Sequence, residues 1–80
     1  MTRTELEKRL KNENFSDSGY NLYGKVPSDY EGYILVEKNN FWQAQYYERG
    51  EYRVLKTFDN EENACDWFYE KLNKDPTMKR

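Results

Sequence analysis

Apolar and polar positions alternate with period two in two adjoining stretches of this chain, and with the helical period in a stretch at each end. Tyr33 to Lys38 is a compact β-branched and aromatic run, and Asn39-Asn40, residues tolerant of positive φ, close it as a hairpin turn. Phe41 to Glu48 alternates and turns at Arg49-Gly50. The chain then returns as Glu51 to Phe58, so three antiparallel strands are expected as a meander. Asp59 with Glu62 three residues on has the spacing of a capping box. The helix it opens runs to about Asn73, before Asp75-Pro76, with Ala64, Cys65, Phe68 and Leu72 on one stripe and Trp67 and Tyr69 at its edges. At the other end, Thr2-Arg3-Thr4-Glu5 is a second capping box, and Leu6 and Leu10 share one face of a short helix over about residues 3–12, with Phe15 just beyond. Two apolar positions cannot sustain such a helix alone, so it is expected to lean on the sheet.

The expected fold is therefore α+β: a three-stranded antiparallel meander packed by a C-terminal helix, with a short N-terminal helix. The chain reads as one domain, divided into an N-terminal helical part (1–15), a packed loop (16–32), the sheet (33–58), the helix (59–74) and a tail (75–80). Within the loop, Tyr20-Asn21-Leu22 is a candidate fourth strand at an edge, and Pro27-Ser28-Asp29 is a turn signal. Lys71, Lys74 and Lys79-Arg80 suit the negative end of the last helix and read as local structure or a frayed tail.

The turn at Arg49-Gly50 admits two registers, and a one-residue slip exchanges the faces of a strand. A two-residue loop sets Tyr47 opposite Tyr52 and puts Trp42 and Ala44 on the face of Leu55. A three-residue loop, with Gly50 left-handed, gathers Trp42, Ala44 and Tyr46 with Tyr52, Val54 and Phe58. The second is the expectation, because it collects the larger apolar set beneath the helix.

Composition narrows the function classes. The chain has 80 residues, 36% hydrophobic and 35% charged, but eight Tyr, four Phe and two Trp supply the contact area a disordered chain lacks. There is no His, which removes the commonest general base near neutral pH and the commonest zinc ligand. The carboxylates are scattered over predicted exposed helix faces, and no Gly-rich phosphate loop occurs. No catalytic, metal or cofactor site is expected. The single Cys65 fits the core stripe better than a nucleophile, and with no secretion signal or membrane-spanning run it suggests a reducing, cytoplasmic setting. Thirteen basic and 15 acidic side chains leave a net charge of −2, a poor basis for nonspecific nucleic-acid binding and a fair one for a basic protein partner. Alternation means that Tyr33, Tyr46, Tyr47 and Tyr52 cannot all point inward. A patch built on them, with Glu48, Arg49, Glu51 and Arg53 beside them and Glu61 and Asp66 on the helix, is the candidate partner-binding surface.

The span Trp42-x-Ala44-x-Tyr46-Tyr47-Glu48-Arg49-Gly50 followed by Phe58-Asp59-x-Glu61-Glu62-x-Ala64-Cys65-x-x-Phe68 resembles small Firmicute immunity proteins of polymorphic toxin systems. That resemblance implies a cytoplasmic, non-catalytic protein that neutralises one cognate toxin domain by covering its active site; the chain itself reads as either a monomer or a homodimer. Three strands followed by a helix also resemble the AP2-like and integrase arm-type DNA-binding domains. That likeness would give Lys38, Arg49, Arg53 and Lys56 the nucleic-acid contacts, with Glu37, Glu48 and Glu51 offsetting most of their charge.

Overall fold

The computed structural model describes residues 1–79 and has the element order α1 (Arg3–Asn12), β1 (Tyr20–Asn21), β2 (Gly32–Glu37), β3 (Trp42–Glu48), β4 (Glu51–Phe58), α2 (Glu61–Asn73). The strands form one sheet in the order β1-β2-β3-β4. β2, β3 and β4 are the antiparallel meander, and the short edge strand β1 joins it parallel to β2, with Tyr20 beside Tyr33. The fold is the expected α+β arrangement with a mixed sheet.

Both helices lie on one side of the sheet. Thr2 caps α1, accepting from the Glu5 N–H while the Glu5 carboxylate accepts from the Thr2 N–H, so the first capping box is present. Leu6 and Leu10 are fully buried. They reach the core through contact of α1 with α2 rather than by lying on the strands, because α2 takes the position over the sheet. The cap of α2 is Asn60, one residue later than the expected Asp59. Its side chain accepts from the Asn63 N–H at 2.8 Å. The shift follows from Phe58, which stays in β4 opposite Trp42 with its ring 5.6 Å from that of Trp67, leaving Asp59 as a link. Leu35, Trp42, Ala44 and Phe58 from the sheet meet Ala64, Cys65, Phe68, Tyr69 and Leu72 from α2 in one core. Tyr69, expected at the edge, is buried there. Its hydroxyl donates to Glu13 and its ring lies beneath the Arg9 guanidinium at 4.1 Å.

The β3–β4 turn corrects the expected register. Arg49 and Gly50 both have positive φ, 53° and 79°, and Glu48 pairs with Glu51, so the loop has two residues. Tyr47 therefore faces Tyr52, and Val54 lies on the side away from the helices. The apolar set is rescued by a bulge rather than a longer loop. Ala44 pairs with Lys56 while its neighbour Gln45 pairs with Val54, which leaves Leu55 as the extra residue. Beyond the bulge the parity changes, and Leu55 and Phe58, an odd number of positions apart, both serve the helix side. At the other hairpin, neither Asn39 nor Asn40 takes the expected positive φ; Lys38 N–H bonds Phe41 C=O at 2.7 Å across them.

A parallel β1–β2 pair requires a crossover, and residues 22–31 make it, with Leu22 in the helix-side core and Tyr23 against α1, and the stretch from Gly24 to Tyr30 passing over the face opposite the helices. Gly24, at φ +95°, crosses so close to β2 that a Cβ there would stand 2.7 Å from Val36 Cγ2. A turn at Pro27, with Tyr30 N–H bonded to Pro27 C=O, then carries Tyr30 over Tyr47. Ile34, Gln45 and Tyr47 are buried beneath this loop. The segment up to Lys79 is held rather than frayed: Met78 is buried in the core, Ser16 N–H bonds Met78 C=O, and Lys79 bridges to Phe15. Arg80, assigned with Lys79 to the tail, lies outside the described residues.

Candidate functional site

Two aromatic rows run across the sheet at the turn end of the β3–β4 hairpin, one on each face. On the helix side, Phe68 meets Tyr33 edge-on at 6.4 Å, Tyr33 meets Tyr46 at 5.1 Å, and the Arg53 guanidinium stands 5.8 Å over the Tyr46 ring. Register explains the row, since Tyr33, Tyr46 and Arg53 are direct cross-strand neighbours. The Tyr33 hydroxyl donates to Asp75 at 3.1 Å. Burial, reinforced by that carboxylate, pushes the Tyr33 phenol above its ordinary value, and hydrogen bonds from Thr77, then Tyr33, hold Asp75 below its own. Tyr33 is thus fixed by structure and stays neutral.

On the opposite face, Tyr30 from the crossover, Tyr47 and Tyr52 form the second row, at 6.3 Å and 4.5 Å between rings. The Tyr30 hydroxyl donates to Tyr33 C=O, and burial pushes its pKa upward. The row ends in water. Tyr47 is 6% exposed, whereas Tyr52 is 55% exposed and Val54, two residues along the same face, 54%. Between Tyr52 and the crossover lies a shallow groove of about 330 Å³ lined by Gly24, Val36, Lys38, Gln45 and Tyr52. The Gln45 amide donates to Gln43 at 2.6 Å along the same face. The crossover explains why this strip is open: it covers β2 and the turn end of β3 and stops short of β4.

The tip itself carries Glu48, Arg49 and Glu51, all exposed. With Tyr46, Tyr52 and Arg53, the two glutamates line a cleft of about 270 Å³. The hairpin therefore brings Tyr33, Tyr46, Tyr47, Glu48, Arg49, Glu51, Tyr52 and Arg53 to one end of the molecule. Tyr33, Tyr46 and Tyr47 are largely occupied by their own packing, and Tyr52 is the tyrosine that projects. Glu61 and Asp66 stand apart. Glu61 follows the far end of β4, roughly 25 Å from the tip at the ordinary strand rise, and accepts from Arg3 N–H at 2.8 Å. Asp66 pairs with the Met1 ammonium at 3.0 Å. Val54, Val36 and Tyr30 belong to the open face and were not read from the sequence. Val54 is recoverable from its period-two spacing with Tyr52 once the two-residue turn is known.

The Cys65 thiol is fully buried, and burial, then the nearby Glu61, pushes it up to about 11. Among the described residues no group of three or more His, Cys, Asp or Glu could hold a metal ion, and no helix is long and apolar enough to cross a membrane. No family model, curated protein or solved structure matches the chain.

Proposed function

We propose that this chain is a non-catalytic binding module that engages a protein partner through the β3–β4 hairpin and the open strip beside it, as an immunity protein engages its toxin. The observation that supports this reading is the juxtaposition of Tyr52 and Val54, both more than half exposed, with Glu48 and Glu51 at the tip. An exposed aromatic anchor with a charged rim is the arrangement from which interface hot spots are built. The tip is held by the two-residue turn and by Tyr47 packed against Tyr52, so little entropy remains to be lost on docking. The partner that fits is a basic domain, with Glu48 and Glu51 meeting Lys or Arg at the edge of its catalytic cleft. A net charge of −2 gives only modest long-range steering, and the apolar anchor carries more of the affinity than the charge does.

The DNA-binding alternative finds less support. A sheet laid in a groove uses the face away from the helices, whereas the Arg53 guanidinium lies over Tyr46 and the Lys56 ammonium over Phe58, both on the helix side. The test is toxicity rescue: the protein captured with this chain is expressed with and without it. A partner lethal alone and harmless beside the wild type, with rescue lost in Tyr52→Ala and in Glu48→Lys/Glu51→Lys, supports the reading. Rescue that survives both variants, or a partner harmless alone, rejects it.

A further inference from the structure

We propose that the free edge of β4 pairs with the same edge of a second copy of this chain, across a two-fold axis at Arg53, joining two four-stranded sheets into one continuous sheet of eight. β4 is the last strand in the sheet order and runs for eight residues, against two in β1 at the other edge. Nothing among the described residues covers its first half: Glu51 to Val54 are all exposed. An unpaired edge of this length is a template for another strand.

The turn fixes which backbone groups are free. Glu48 and Glu51 close a two-residue hairpin and form a hydrogen-bonded pair, so the next pair, Tyr47 and Tyr52, is not hydrogen-bonded. By the same alternation the N–H and C=O of Tyr52 and Val54 point outward, away from β3. The bulge at Leu55 bends the strand beyond this point, which limits the regular edge to Glu51–Leu55.

Within that run the possible axes can be ranked. A two-fold in an antiparallel ladder must pass through a residue facing its own copy. An axis at Tyr52 carries the pairing into the turn, and one at Val54 carries it across the bulge. An axis at Arg53 does neither. It sets Tyr52 opposite Val54 of the second copy, twice, and both are residues whose backbone groups point outward. Those two are the exposed apolar side chains of the strand, at 55% and 54%, and each covers the other as an aromatic and β-branched pair. On the helix side Arg53 faces Arg53 of the second copy, and Glu51 of each chain falls diagonally beside the other's guanidinium, so two carboxylates offset the two cations. The strand is self-complementary in hydrogen bonding, apolar cover and charge about this one residue. Five residues a side make a small contact, below the roughly 1,000 Å² of a stable complex, so the dimer forms in proportion to concentration. Of the tip residues, Glu48 and Arg49 lie outside the pairing, whereas Glu51, Tyr52 and Val54 lie within it, so this pairing and the docking proposed above use the same strip and exclude one another.

Arg53 at the axis gives a register-specific test. Non-hydrogen-bonded partners bring their Cα atoms to about 4.5 Å, within disulfide range, so Arg53→Cys should cross-link to a covalent dimer under mild oxidation. Thr57→Cys, on the same strand beyond the bulge, lies four residues from the axis, so its two copies stand roughly 26 Å apart and should not cross-link within this dimer. Sedimentation of the wild type should show mass doubling between micromolar and millimolar concentration, and Val54→Asp, an exposed change whose folding is checked by circular dichroism, should raise the dimer dissociation constant about tenfold. A wild type that stays monomeric at millimolar concentration overturns the proposal and leaves the edge to a strand of another chain. A dimer indifferent to Val54→Asp, or equal cross-linking at the two cysteines, also overturns it by moving the contact elsewhere.

Discussion

The Arg49-Gly50 turn makes opposite predictions for two neighbouring residues. Arg49 is held at φ 53° and Gly50 at φ 79°. A left-handed conformation costs a residue bearing a Cβ roughly 1–2 kcal/mol, a cost that glycine escapes and asparagine partly recovers through local hydrogen bonding. Arg49→Asn should therefore stabilise the protein by about 0.5–1 kcal/mol. Gly50→Ala should destabilise it by about 1 kcal/mol. Steric clash contributes nothing to the second figure, since a Cβ at Gly50 would meet no atom within 4 Å. In a domain of this size each kcal/mol moves the melting temperature by about 4–8 °C. Urea titrations followed by Trp42 and Trp67 fluorescence should show two midpoints displaced in opposite directions with an unchanged slope, and the double variant should lie near the wild type. The reasoning is refuted if Arg49→Asn is neutral or destabilising. That is the outcome for a three-residue loop, in which Gly50 alone is left-handed.

Three further perturbations probe the packing. Glu13 lies below its ordinary value of 4.5 because Tyr69, then Arg9, hydrogen-bond its carboxylate, and Tyr69 lies above its ordinary 10.0 because it donates to that carboxylate. A lowered acid contributes stability above its unfolded pKa and loses it as pH falls, and a raised phenol loses its contribution as pH rises past the unfolded value. Urea midpoints should therefore fall below about pH 4.5 and again above about pH 10, and Tyr69→Phe should flatten both limbs; equal limbs in the variant would refute the pairing. Met78→Ala should cost about 2–4 kcal/mol by chemical denaturation, because the side chain is 5% exposed in the core, and a loss under 1 kcal/mol would mean the chain end is loose. Cys65, buried with its thiol pushed up to about 11, should resist a thiol reagent at neutral pH until denaturant is added; labelling of the native protein would contradict its placement.

Most of the fold was legible because its signals are local. Thr2 and Glu5 announce α1, the Leu6/Leu10 face points it inward, and the Ala64, Cys65, Phe68 and Leu72 stripe lies where the helical period puts it. The errors arose where distant contacts decide. Strict alternation from Gly50 gives no reason for Leu55 and Phe58 to share a side, and a bulge supplies one only because α2 requires both there. The wrong register in turn hid Val54, the residue that completes the open face. Tyr20–Asn21 offered a strand, but its parallel pairing rests on a crossover whose course depends on Gly24 against Val36 and Tyr30 against Tyr47. Asp59 and Asn60 are both good caps, and tertiary demand on Phe58 chose between them. The hairpin end of the candidate surface was readable from tyrosine and charge; Glu61 and Asp66 were grouped with it by charge alone, although Glu61 follows the end of β4 that lies a strand's length from the turn, and Asp66 is taken by the distant Met1 ammonium.

The claim that the open strip beside the hairpin is a protein-docking surface is tested most directly by parallel capture. Purified wild type and Tyr52→Ala, matched in circular dichroism, are each immobilised and exposed to lysate of the source organism, with bound protein and nucleic acid quantified separately. The account predicts one stoichiometric protein on the wild type and its loss from the variant. Equal recovery on both proteins, or salt-sensitive DNA in place of a protein, would contradict it.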